Sequence, residues 1–316
     1  MLNRRYLRIK VFQSLYAYAQ SDNSSAARIE KELFNGLERT YDLFLSLLLV
    51  FGELRHVAEL RIEDRKKKRL PSPEDLDPDR RFVNDTVLKA LAESDALRSE
   101  CEKRKISWVG HQEVFVKLLR ELEASPEYAA YMAADSLDHR TSRTVLSNLF
   151  TKYIANSEGL QDVFESRSIY WLEDLDLAAG LVKRVLDQLR EDEGGGLEVS
   201  DVVRDHKEEE AFVSRLFRKA VEYDEEHEKA IGEKASNWES DRIALSDMIL
   251  MKMALTEVRA FDQIPVKVTL NEYIEIAKAY STPKSKNFIN GVLDKLFIEM
   301  KADGRIHKVG RGLLES

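Results

Sequence analysis

Apolar positions recur at helical spacing along almost the whole chain. In "NRRYLRIKVFQSLYAYAQ" a stripe of Leu7, Val11, Leu15 and Tyr18 predicts a first helix, with Asn3 as its N-cap and Ser21–Ser25 as its break. From Ala26 to about Arg69 the pattern predicts one long helix or a helical pair. Inside it, "LFLSLLLVF" (Leu43–Phe51) is apolar on nearly every side; it is too short to span a bilayer and reads as a buried core helix. "RKKKRLPSPEDLDPDRR" then reads as a linker or exposed corner. Residues 81–106 and 108–124 predict two more helices, and Ser125-Pro126 opens a helical series that reaches Arg190. "EDEGGGLE" (Glu191–Glu198) reads as a flexible joint.

Beyond the joint, Glu208–Ala235 and Asn237–Val258 each predict a helix, and "FDQIPVKV" a loop. Thr269–Glu272 has the form of a capping box, although Pro265 offers an alternative start. "STPKS" (Ser281–Ser285) separates that helix from "KSKNFINGVLDKL", with Thr282 as N-cap and Pro283 at the first helical position. Asn290-Gly291 is usually a hairpin signal. Here Phe288, Ile289, Val292, Leu293, Leu296, Phe297 and Met300 keep helical spacing, so the stretch reads as a helix. A faint echo links "LSNLFTK" before Trp171 with "VSRLFRK" before Trp238, each Phe standing 21 residues ahead of its Trp. Coincidence between amphipathic helices, and a middle region related to the C-terminal unit, both remain open.

Composition agrees with an all-α fold. Among 316 residues, 43% are hydrophobic and 34% charged, with only 13 Gly and 6 Pro, so helix breakers are few. The single cysteine, Cys101, rules out an internal disulfide and a Cys-based zinc cluster. With no apolar leader at the N-terminus, a reducing cytoplasm and no membrane partner are expected. The net charge of −8 rules out a generally basic coat, but the charge is segregated. Residues 1–20 hold Arg4, Arg5, Arg8 and Lys10 without an acid, whereas Glu191–Glu210 is strongly acidic. That pattern suggests a local anion site.

Arg4 and Arg8 lie one helical turn apart and, with Arg5, put three guanidinium groups beside the free N–H groups of a helix start. Such a surface binds phosphate; the ordinary alternative is a solvated basic face. Lys284, Lys286 and Asn287 repeat the arrangement at the last helix. Phe288 then either stacks on an unpaired base or serves the core, and Asn290 either reads a base edge or caps local backbone. Gly291 is expected to admit another helix or an RNA backbone at close range. The chain has no Gly-rich phosphate loop, GxSxG, HExxH or EF-hand loop. Its six histidines lack ligand spacing, and His227 in "DEEHE" reads as part of a solvated acidic face. Catalysis, cofactor and metal are therefore not expected.

"RRYLRIKVFQSLY" resembles the arginine-rich first helix of the NusB family of bacterial transcription antitermination factors. "IPVKVTLNEYIEIAKAYSTPKSKNFINGVLDKL" is similar to that family's C-terminal signature, and "LSDMILMKMALTEV" to the helix before it. The resemblance covers residues 1–20 and about 206–300. It implies a NusB-like fold of two packed helical subbundles. Residues 1–20 and 206–316 would form one discontinuous domain, with 21–205 a helical insertion of unassigned role.

The resemblance also implies binding without catalysis. The expected partners are boxA RNA, the ribosomal protein NusE and an RNA polymerase antitermination complex acting notably in ribosomal RNA synthesis; a homodimer is also allowed. It places Arg4, Arg5, Arg8, Lys284, Lys286, Asn287, Phe288 and Asn290 toward RNA, and Tyr16, Asp241 and Asp247 toward NusE. Gln13 lies on the same first helix. Lys252 stands where the family often has arginine and lacks the planar fork for a bidentate contact. Two alternatives are a helical protein-interaction scaffold and the targeting module of an RNA methyltransferase. The second calls for a following catalytic domain, and the chain runs only to Ser316.

Overall fold

The computed structural model describes residues 4–21, 25–134, 138–168, 170–189, 206–235 and 243–314. The expected N-cap Asn3, the joint at Glu191–Glu198, Trp238 of the internal echo, and Asp241 lie outside the described residues. Every regular element among the described residues is helical. In chain order they are α1 (Arg4–Gln20), α2 (Ala26–Lys66), α3 (Pro73–Leu76), α4 (Arg81–Asn84), α5 (Thr86–Ala92) and α6 (Asp95–Arg104). Then come α7 (Gln112–Glu123), α8 (Pro126–Ala133), α9 (His139–Leu149) with a π turn at Phe150–Ile154, α10 (Glu158–Arg167) and α11 (Trp171–Gln188). The last are α12 (His206–Glu222), α13 (Asp224–Ala235), α14 (Leu245–Ala260), α15 (Val266–Tyr280), α16 (Ser285–Ala302) and a 3₁₀ turn at Gly310–Leu313. None of these helices is long and apolar enough to cross a membrane.

The chain divides into two compact units, Met1–Gly36 with Asp205–Ser316, and Leu37–Arg204. The first boundary falls inside α2, not at the break after α1. The reason is Glu30, near the start of α2, which accepts from Arg218 Nε at 2.8 and 3.0 Å and from Ser214 Oγ at 2.7 Å, both on α12. These bonds tie the first turns of α2 to the terminal unit.

The terminal unit is built around α14. Ile249 through Val258 are all buried, so this helix is covered on every side. α12, α13, α15, α16 and α1 pack against it. The Leu37–Arg204 unit has the middle of α2 in its core: Leu43, Phe44, Leu45, Leu47, Leu48, Val50 and Phe51 are buried. Trp108 packs edge-on to Phe115 and donates its indole N–H to Ser46 O at 2.9 Å. Asp85 is a second organiser there. It caps α5 through Val87 N and Leu88 N, and accepts from Tyr131 Oη at 2.8 Å and Ser142 Oγ at 2.5 Å, linking α5 to α8 and α9.

Several element boundaries differ from the sequence expectations. Residues 81–106 form three short helices because Asp85 and Ser94 each cap a new start. Glu208–Ala235 is divided into α12 and α13 at Tyr223. The capping box at Thr269–Glu272 is not used. α15 starts earlier, after Pro265, and Thr269 is buried with its hydroxyl donating to Glu257 at 2.8 Å. Thr282 and Pro283 precede α16 in a turn; its regular part starts at Ser285, with Thr282 Oγ1 2.8 Å from Ser285 Oγ.

Candidate nucleic-acid interface

The three arginines of α1 stand at three depths. Arg4 is exposed and pairs with Glu208 on α12. Arg5 is half exposed and makes a forked pair with Glu272 on α15, Nε–Oε2 3.0 Å and Nη2–Oε1 2.8 Å. The hydrogen bond to Glu272 holds its guanidinium above the ordinary value. Arg8 lies inside the unit, 2% exposed. It forks onto Glu257 of α14 with both bonds at 2.7 Å and reaches Glu272 at 3.5 Å. Burial by itself disfavours the Arg8 charge; the hydrogen bond and charge of Glu257 outweigh it and leave Arg8 above its ordinary value.

This corrects the expectation of three arginines on one exposed surface. Arg8 is interior because α1 packs its basic face onto α14 and α15, where Glu257 and Glu272 answer it. Glu257 is fully buried and also accepts from Thr269 Oγ1 and from Tyr273 Oη at 3.1 Å. Burial, reinforced by Glu257, pushes the Tyr273 phenol far up. Arg8 thereby fixes the turn of α1 that presents Arg4 and Arg5.

α1 and α15 run in the same direction. Arg5, at the start of α1, meets Glu272 in the middle of α15, and Phe12 meets Tyr280 further on, with ring centroids 5.6 Å apart. The shift from Arg5 to Phe12 is about 10 Å of helix. Tyr280 ends α15, and the corner after it carries Lys284, Lys286 and Asn287, all exposed. Exposed cations thus occur at the start of α1 and at the α15–α16 corner, beyond the Phe12–Tyr280 contact. Phe288 is half-buried, and Asn290 donates to Asp294 at 3.2 Å, the internal alternative for this amide. Gly291 is half-buried in α16.

Asp247 was expected at a partner surface and is instead buried. Its carboxylate accepts from Ser285 Oγ at 2.7 Å and from Ser281 Oγ, so it pins the α15–α16 corner to the first turn of α14. The serines on both sides of "TPK" leave no room for a partner's cation. Tyr16 is exposed on α1, tilted against Phe12, with its hydroxyl accepting from Gln20 Nε2 at 3.3 Å.

Between α1, α12, α13 and α14 the structure has a groove of about 560 Å³ that sequence reasoning missed; Tyr16 is not among its lining residues. Leu15, Tyr18, Leu245, Met248 and Ile249 line it, with Asp224 and Glu228 on its rim. Lys252, 7% exposed, donates to Asp224 at 2.7 Å and Glu228 at 2.6 Å. The i, i+4 spacing of these acids in "DEEHE" was the available signal. His227, between them, is not solvated: it is 2% exposed, with Nδ1 3.4 Å from Thr256 Oγ1 and no hydrogen-bond partner for Nε2 among the described residues. It faces inward because Asp224, Glu225, Glu226 and Glu228 take the outer side of α13.

The model of the NusB family matches residues 172–297. Residues 172–297 are thus similar to the NusB family. A protein named transcription antitermination protein NusB from Salinibacter ruber is 46% identical over 103 residues, 33% of this chain and 64% of the relative. Proteins of the same name from Chloroherpeton thalassium and Natranaerobius thermophilus are 41% identical over 120 residues and 38% over 87. These alignments cover 38% and 28% of this chain and 56% and 60% of the relatives. In each case the chain spans less than two thirds of the relative. No solved structure matches it. The NusB family match begins at residue 172, inside the stretch expected to be insertion, and α1 lies outside it.

Proposed function

We propose that this protein is a non-catalytic transcription antitermination factor. In this reading its terminal unit binds boxA-type RNA together with the ribosomal protein NusE and joins an antitermination complex on RNA polymerase, notably during ribosomal RNA transcription. One observation carries the reading: exposed cations at the start of α1 and at the α15–α16 corner flank parallel helices, in a chain whose relatives are named transcription antitermination proteins. Arg4, Arg5, Lys284, Lys286 and Asn287 would meet phosphates. Phe288 would offer the exposed part of its ring to a base, while Asn290 would exchange its bond to Asp294 for a base edge. Arg8 acts as a positioning residue.

Tyr16 and the apolar groove with its acidic rim suit a protein partner that brings apolar and basic side chains. In this reading residues 37–204 are an addition to the binding unit.

The test is a titration of the full chain with labelled boxA-type RNA at fixed salt, with and without NusE. Lys284→Glu with Lys286→Glu should weaken binding by about tenfold or more, because phosphate contacts dominate affinity. Arg5→Gln is preferable to charge reversal, since a glutamate there would face Glu272. Unchanged RNA affinity in both variants would reject the RNA-binding reading. The pairing of Arg4, Arg5 and Arg8 with glutamates favours a second reading, a helical protein scaffold; NusE capture with no RNA binding would support it.

A further inference from the structure

A second groove, of about 620 Å³, opens beside the start of α1, and three arginines line it: Arg4 from α1, Arg215 from α12 and Arg311 from the C-terminal 3₁₀ turn. Two rings in contact form part of its wall, Phe212 and Phe261, with centroids 4.9 Å apart and planes tilted by 49°. Arg4 lies over Phe212 at 4.9 Å and Arg215 over Phe261 at 5.2 Å. The rings hold the guanidinium planes in place at low entropic cost while leaving N–H donors for a ligand. Two carboxylates, Glu208 and Asp262, share the groove, and Arg4 occupies Glu208. Arg215 and Arg311 are exposed, and neither is ion-paired with any described residue.

The tail is fastened so that Arg311 reaches this place. Val309 N donates to Asp262 O at 3.1 Å, and Lys308 Nζ donates to Phe261 O at 2.8 Å. Gly310 has φ +54°, a conformation side chains rarely adopt. A Cβ on Gly312 would lie 2.0 Å from Asp262 O, so only glycine allows the tail this close to the α14–α15 loop. The two glycines flank Arg311 and set it over the groove. The whole tail lies outside the segment that the NusB family model matches.

We infer that the Arg4–Arg215–Arg311 groove binds the phosphodiester backbone of single-stranded RNA, with the glycine-flanked tail supplying one of the three cations. The inference rests on the RNA-binding function proposed above and adds to it two residues and a tail. RNA fits better than an acidic peptide because Arg4, which lines the groove, is the neighbour of Arg5 on α1, so the groove adjoins the cations assigned to RNA above. Its spaced guanidinium groups also follow a repeating backbone charge.

The experiment is fluorescence anisotropy of the full chain with a labelled single-stranded boxA-type RNA across a salt series. Arg215→Ala with Arg311→Ala should reduce the slope of log affinity against log salt by about 1.4, about 0.7 for each single-strand phosphate contact. That corresponds to roughly 25-fold weaker binding at 0.1 M salt if the curves meet at 1 M. Gly312→Val, which dislodges the tail, should reproduce the Arg311→Ala loss while leaving Arg311 in the sequence. Arg311→Ala alone keeps the test open if Gly312→Val does not fold.

An unchanged slope in the double variant, with binding lost in Lys284→Glu/Lys286→Glu, overturns the groove and leaves the function standing. No change in any variant overturns both. Loss of polyglutamate binding with RNA binding intact assigns the groove to an acidic protein and overturns the inference.

Discussion

Arg8 donates two parallel hydrogen bonds to Glu257, each 2.7 Å long, inside the core of the terminal unit. The pair joins the first helix of the chain to a helix almost 250 residues later (|i−j| = 249). Removing one member strands the other. Arg8→Met should destabilise the protein by about 3–5 kcal/mol, the usual cost of an uncompensated buried charge. Arg8→Met with Glu257→Leu should recover only part of this, because Thr269 and Tyr273 then lose their acceptor. Urea unfolding followed by circular dichroism measures both. A loss below about 1 kcal/mol for Arg8→Met would rule out the pair as the anchor of α1.

Asp247 holds the α15–α16 corner, so its removal should act on the corner first. Asp247→Ala should cost about 1–3 kcal/mol by removing the carboxylate that accepts from both Ser281 and Ser285, leaving these hydroxyls only each other and neighbouring hydroxyls, Thr282 among them. Amide exchange at residues 281–288 should speed up. RNA affinity should fall with it, because Lys284 and Lys286 lose their fixed placement. A partner-contact role predicts the reverse: weaker NusE binding with unchanged exchange at the corner.

The contrast between Asp247 and Lys284 shows what was legible in the sequence. Period and breakers gave α7 and α16, because each has one apolar face and one polar face, and gave α1 from its Leu7, Val11 and Leu15 stripe alone, since its basic side is also packed. The exposed cations at Lys284 and Lys286 were readable for the same reason. The buried charges were not. Arg8, Asp247, Lys252 and Glu257 have the residue types of a solvated face, and α14 is covered on all sides, so periodicity cannot tell its inward positions from its outward ones. Thr269 was misread because a capping-box pattern is local, while its partner Glu257 lies on another helix. The tail's Arg311 was missed because its position depends on a backbone approach at Gly312 that no spacing rule encodes.

In the Leu37–Arg204 unit, Asp85 serves three elements with one carboxylate. Asp85→Ala removes the cap of α5 and leaves the Tyr131 and Ser142 hydroxyls without their acceptor. The expected loss is about 2–4 kcal/mol, a cap together with buried donors. Asp85→Asn should fall between, since an amide presents one oxygen where the carboxylate presents two. Thermal unfolding of the three proteins checks the order, and equal melting temperatures would remove Asp85 from this role.

His227 gives the terminal unit an acid-sensitive point. Burial, against the opposing pull of Glu226, lowers its pKa to about 4. In the unfolded chain the ring titrates near 6.5, so as pH falls the unfolded state takes up the proton first. Stability from the neutral buried ring is therefore complete above about pH 6.5 and is lost progressively down to about pH 4, a total of about 3 kcal/mol. His227→Phe keeps a ring against Tyr223, whose centroid is 5.5 Å away. Thr256 stays satisfied through its bond to Lys252 O at 2.8 Å. The variant should unfold with a flatter pH dependence across this window, measured as urea midpoints between pH 7 and pH 4. Parallel curves for wild type and variant would mean that the ring takes up its proton at the same pH in the folded as in the unfolded chain, which its burial argues against.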